Sequence, residues 1–167
     1  MTKIKPSAIS FGFTLVELLV VISILGILAT LVAGNYRSAK FRGNDAKRKS
    51  DLKQTATALE AFMNDYGIYP SASTYKIMAC PYSAGVCDWG TGEFTDGKTV
   101  YFKELPADPS SKQYYRYRLP GGSNKSFQIF AKLENTQDKD IITTAYNCGT
   151  GVNCNYAVTS SNTTPYE

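Results

Sequence analysis

Residues 13–33 read FTLVELLVVISILGILATLVA, a run of 21 residues in which Glu17 is the only charge. Nothing else in the chain limits its fold as strongly, because an apolar run of this length must be covered by lipid or by protein. With Gly34 added, a helix of about 22 residues at ~1.5 Å each spans ~33 Å, close to a hydrocarbon core of roughly 30 Å. A secretory signal peptide has a shorter apolar region followed by a small-x-small cleavage site, and no clear site of that kind follows this run. The segment is therefore expected to be retained and to cross a bilayer once.

Glu17 is the anomaly in the run. A carboxylate near the fifth position of a span costs up to about 2.5–3.5 kcal/mol unless it finds a partner or stays at the interface. Cleavage between Gly12 and Phe13 would free an α-amine four residues before it. In an array of parallel helices, the amine of one subunit can meet Glu17 of a neighbour, and in low dielectric such a pair favours one axial stagger over others.

The chain has 167 residues, room for one ordinary domain plus this appendage, and no histidine. Ser-His-Asp and Cys-His catalysis and His-ligated zinc or haem are thereby excluded. No Gly-rich phosphate loop, paired-carboxylate cleft or nucleophile elbow is identifiable, so no enzymatic activity is expected. The cysteines, Cys80, Cys87, Cys148 and Cys154, are spaced C-x6-C and C-x5-C rather than as zinc pairs. They read as disulfides outside the reducing cytosol, with Cys80–Cys87 and Cys148–Cys154 favoured among three pairings by proximity alone; four unpaired buried thiols are the alternative.

Residues 37–53 carry seven basic side chains (Arg37, Lys40, Arg42, Lys47, Arg48, Lys49 and Lys53) against Asp45 and Asp51. This run reads as a solvated helix face beside a membrane, not as a nucleic-acid site. Counted by the positive-inside rule alone, it would place the C-terminal domain in the cytoplasm. Cysteine usage points the other way, and long domains translocate largely regardless of charge.

Residues 35–66 contain no proline and place Leu52, Ala56, Leu59, Met63 and Tyr66 on one helical stripe, which reads as core packing against a following sheet. Gly67, with Pro70 after it, predicts the helix stop. Residues 71–104 read as a loop region with one short helix or strand, and Leu105-Pro106-Ala107-Asp108-Pro109 as a turn. Alternation over 114–119 predicts a strand with Tyr115, Tyr117 and Leu119 on one face and Tyr114, Arg116 and Arg118 on a solvated one. Residues 120–124 turn, and Phe127, Ile129, Ala131 and Leu133 form the apolar side of the partner strand. A third strand is expected near 141–146, and the end from Asn147 reads as a tail fastened by a disulfide. Between hairpin and third strand, residues 134–140 (ENTQDKD) are dense in oxygen donors, with Glu134, Asp138 and Asp140 as calcium candidates. They lack the spacing and glycine of an EF-hand and include Lys139, so a plain polar turn is the favoured reading.

A short Lys-containing leader, Gly12, and then Phe13-Thr14-Leu15-Val16-Glu17-Leu18-Leu19-Val20-Val21-Ile22 resemble the class III signal of type IV pilins and type II secretion pseudopilins. The resemblance is strong over residues 7–34. Beyond it, Tyr66-Gly67-Ile68-Tyr69-Pro70 and Leu105-Pro106-Ala107-Asp108-Pro109 are similar to short elements of the major pseudopilins, in the same order. Many members carry a helix-bending proline in the stem; here any bend would rest on Gly26 and Gly34. The resemblance implies an α+β, pilin-like fold: leader 1–12, transmembrane and filament-core helix 13–34, amphipathic continuation 35–66, and a head 67–167 with a small antiparallel sheet. It further implies cleavage after Gly12 by a prepilin peptidase, N-methylation of Phe13, a role for Glu17 in assembly, and calcium binding near 134–140. The implied partners are further copies or related pilins in a helical filament, the inner-membrane assembly platform and the lipid bilayer, with the head outside the cytoplasm. A minor pilin that binds DNA or a surface is the alternative.

Overall fold

A computed structural model describes residues 12–78 and 85–166, with the backbone alone at 31–35. The chain divides into two compact units, Met1–Ala39 and Lys40–Glu167. One helix, α1 (Leu15–Tyr66), contributes to both.

In the first unit the described large apolar side chains of the run, Leu15, Val16, Leu18, Leu19, Val20, Val21, Ile22, Ile24, Leu25, Ile27 and Leu28, are all exposed. Among the described residues no helix is long and apolar enough to cross a membrane. Described side chains of the run stop at Thr30, whereas the sequence continues through Leu31, Val32 and Ala33. The membrane reading of 13–34 therefore rests on the sequence. Helical backbone continues through Gly26, Gly34 and Gly43.

In the second unit α1 ends at Tyr66 as its sequence predicts. Gly67 takes a φ of 70° and donates its N–H to the Met63 carbonyl at 2.8 Å, an αL stop that a residue with a Cβ adopts only under strain. The buried face of the helix runs through Asp45, Arg48, Leu52, Thr55, Leu59 and Phe62, at alternating steps of three and four. It differs from the predicted stripe at the end, where Tyr66 stands 36% exposed and Phe62 takes the core position. The Phe62 ring packs at 5.5 Å from Phe94 and 5.3 Å from Tyr101, so partners from the loop region decide which aromatic is covered.

Residues 71–104 hold more strand than expected: β1 (Ala72–Ser73), β2 (Lys76–Met78) and β3 (Val86–Cys87) form one antiparallel sheet, and β4 (Phe94–Thr95) pairs with β5 (Val100–Phe102). Pieces of two or three residues are too short to show a period of two. The hairpin lies where it was expected, as β6 (Arg116–Arg118) against β7 (Gln128–Ala131), with Tyr117 opposite Ile129. Tyr115, Tyr117, Phe127, Ile129, Ala131 and Leu133 join Leu52, Leu59 and Phe62 in the main core.

The third strand is a correction. It is β8 (Tyr156–Thr159), antiparallel to β7, and not 141–146. Residues 141–146 are equally β-prone, but they run outside the sheet, with Ile142 N–H donating to the Asn155 carbonyl at 2.8 Å. The Cys148–Cys154 disulfide closes the turn that brings the chain back onto β7. Phe130, on the other side of β7, packs with both cysteines, Tyr146 and Ala157 in a second small core, so β7 is buried on both faces. The tail is thus a sheet edge with its own apolar support.

Loss of this disulfide, by reduction or as Cys148→Ser with Cys154→Ser, should cost about 2 kcal/mol and lower the Tm by roughly 5–10 °C. Thermal unfolding of the full chain in detergent with and without reductant is the check; an unchanged Tm would show that the tail holds without it.

Candidate assembly and processing site

The two ends of the sequence motif lie just outside and just inside the start of α1. Gly12 and Phe13 are exposed and non-helical, with Phe13 at 85% exposure. Thr14 is the N-cap of the helix. Its Oγ1 accepts the Glu17 N–H at 3.2 Å and donates to Glu17 Oε2 at 2.7 Å, while its N–H donates to the same Oε2 at 2.8 Å. This is a capping box, Thr-x-x-Glu, in which each residue satisfies a backbone donor of the other. It gives Glu17 partners within its own chain. In the sequence, the spacing Thr14-Leu15-Val16-Glu17 alone carries the signal for this cap.

In the second unit, one turn of α1 gathers the loops. Arg48 is fully buried. Its Nε and Nη2 donate to Asp108 Oδ2 and Oδ1 at 2.9 and 2.8 Å, a two-pronged pair, and its Nη1 donates to Asp45 Oδ1 at 2.8 Å and faces Glu134 Oε2 at 3.4 Å. Burial opposes the charge, but the hydrogen bonds to Asp108, Asp45 and Glu134 outweigh it and hold the guanidinium pKa above its ordinary value. Asp45 also accepts the Glu134 and Asn135 N–H groups at 2.9 and 2.8 Å. One turn on, Asp51 accepts the Tyr115 hydroxyl at 2.7 Å and Lys47 Nζ at 2.6 Å.

The solvated reading of the basic run is therefore corrected at Arg48 and Lys49, which are tied to acids of the head, while Lys47 stays exposed and pairs with Asp51 of the same helix. A similar correction applies to the strand arginines. Arg116 Nε donates to the Asn147 carbonyl at 2.7 Å, while Arg118 donates to Gln128 Oε1 at 2.8 Å and lies 4.5 Å over the Tyr146 ring. These side chains brace the sheet against the segment before the disulfide.

The two short motifs of the head are structural pins. Tyr69 is buried, its ring 4.9 Å from Phe127, and the Pro70 carbonyl accepts the Tyr117 hydroxyl at 2.6 Å. Leu105 is in the main core and Asp108 takes the Arg48 fork. Of the other candidate residues, Cys87 is buried in the main core, and Cys80, with the Cys80–Cys87 pairing, lies outside the described residues. The calcium candidates separate. Glu134 turns to Arg48 and to the Asn44 amide at 3.2 Å, while Asp138 and Asp140 each meet Lys49 Nζ at 2.7 Å.

Comparison with known proteins finds similarity over the motif and beyond it. Residues 10–33 match the model for the prokaryotic N-terminal methylation motif. The type II secretion system core protein G of Pseudomonas aeruginosa is 35% identical over 116 residues, 66% of this chain and 74% of that protein. The protein of the same description from Klebsiella pneumoniae is 35% identical over 120 residues, 72% and 81% of the two chains, and that from Vibrio cholerae 31% over 112 residues, 66% and 71%. No solved structure matches the chain. A methylation-type stem start, a helix carrying a buried salt-bridge hub, an antiparallel head and this extent of identity place the chain in the pilin and pseudopilin family, with the type II secretion system core G proteins among its members.

Proposed function

We propose that this chain is a structural subunit of a type II secretion pseudopilus, made as a membrane-anchored precursor, cut after Gly12, methylated on Phe13 and polymerised through its stem with the head outside the cytoplasm. The observation that carries this reading is the identity to core G proteins, which extends over 116 residues and so reaches beyond the 24 of the motif into the head.

The stem supports it physically. An apolar helix surface exposed from Leu15 to Leu28 is stable only in lipid or against other apolar helices, and a subunit can exchange the first for the second when it joins a filament. Packing between parallel stems then depends on close van der Waals fit and on the few polar groups present, among them Glu17 and the hydroxyls of Ser23 and Thr30, which already donate to the Leu19 and Ile27 carbonyls. A heterologous contact between stems that does not close into a ring yields a helical fibre.

N-terminal sequencing and intact mass of the protein extracted from membranes test the reading. The expected species begins at Phe13 with one added methyl group. A chain that still begins at Met1 when recovered from its host, and that never sediments as a polymer, would refute it.

A further inference from the structure

We propose that Lys49 is the built-in cation of the 134–140 loop, and that the head folds and holds this loop without calcium or any other divalent ion. The loop is gripped by one short stretch of α1. The Asn44 amide and Arg48 meet the Glu134 carboxylate, Asp45 takes the Glu134 and Asn135 N–H groups, and Lys49 reaches Asp138 Oδ1 and Asp140 Oδ2 at 2.7 Å each. Asp138 Oδ1 in turn accepts the Asp140 N–H at 3.0 Å, which closes the turn on the lysine.

A calcium ion needs six to eight oxygens converging at about 2.3–2.6 Å. Two of the three carboxylates in this loop point at an ammonium, and the third is engaged by a guanidinium. A divalent ion placed between Asp138 and Asp140 would have to expel Lys49 and then sit beside it, charge against charge. These residues do not fit the metal.

They fit lysine well. The Lys49 Nζ is also 5.5 Å from the centre of the Tyr156 ring, on the first residue of β8, so the same ammonium touches the loop and the returning edge strand. Partial burial disfavours the charge, but the hydrogen bonds to Asp138 and Asp140 raise the Lys49 pKa, and the bond from Lys49 lowers that of Asp138. The position on α1 matters as much as the charge. Lys49 follows Arg48 by one residue, so one helical turn delivers two cations to two separate groups of acids.

Thermal unfolding of the full chain in detergent, in EDTA and in millimolar calcium, is the test. The wild-type Tm is expected to agree within about 1 °C between the two conditions, while Lys49→Met lowers the Tm in EDTA by roughly 3–6 °C and Lys49→Arg retains most of it. A calcium-dependent rise of more than about 3 °C in the wild type would overturn the proposal, since a stabilisation of that size requires an ion bound to the native state. So would a Lys49→Met chain as stable in EDTA as the wild type. The wild-type comparison stands even if the substituted chain does not accumulate.

Discussion

Glu17→Ala should yield a subunit that reaches the membrane but does not build filaments. Alanine removes the only charge of the apolar run, so insertion becomes easier by up to about 2.5–3.5 kcal/mol. On the proposed assembly, the filament loses the carboxylate that would pair with the amine freed at Phe13 of a neighbouring stem. Breaking such a pair in a low-dielectric helix bundle leaves an amine without its partner and costs ~3–5 kcal/mol, on the order of a hundredfold or more in the equilibrium for each added subunit. Because α1 opens with a Thr14–Glu17 capping box, alanine also removes the half of the box that accepts the Thr14 N–H and hydroxyl, while the Thr14 Oγ1 bond to the N–H of residue 17 remains. Glu17→Gln separates the two effects, since a glutamine at this position still accepts the Thr14 N–H without carrying charge. Both variants are expected in the membrane fraction and absent from sheared or sedimented filaments. Filaments at wild-type level from Glu17→Gln would show that the charge has no part in assembly and leave only the cap.

Arg48→Met should unfold much of the head. The guanidinium is fully buried and holds Asp45, Asp108 and Glu134 from three directions, so its removal leaves three carboxylates facing one another with no cation between them. Removing one partner of a buried ion pair costs ~3–5 kcal/mol, a large part of the 5–15 kcal/mol typical of a whole domain. Arg48→Lys should recover little, because one ammonium cannot make the two-pronged bond to Asp108 and reach Asp45 as well. Adding Asp108→Asn to Arg48→Met should restore part of the loss by removing one of the stranded charges, a coupling that a double-mutant cycle measures. Urea unfolding of the full chain in detergent is the readout. Near wild-type stability of Arg48→Met would mean that the hub does not hold the head together.

Much of this architecture was legible in the residues. The stem follows from the apolar run, the helix stop from Gly67, and the hairpin from the alternation of Tyr115 and Tyr117 with Phe127, Ile129, Ala131 and Leu133, because each depends on a period or a backbone preference that neighbours in sequence express. Arg48 was not legible. In sequence it is one of seven basic residues in a run, and the acid that buries it, Asp108, is 60 positions away in a turn that by itself looks ordinary. The same holds for β8: residues 141–146 and 156–159 have comparable strand preference, and the fold of the disulfide turn, not propensity, decides which of them pairs with β7.

By itself, then, the sequence determined the parts whose physics is local: where a helix must be apolar all round, where it must end, which strand faces are greasy, and which acid is the sole charge of the apolar run. Tertiary structure alone decided which charges are covered and which strand closes the sheet. A buried ion pair is stable only when its geometry and all its hydrogen bonds are supplied together, and here those come from segments far apart along the chain.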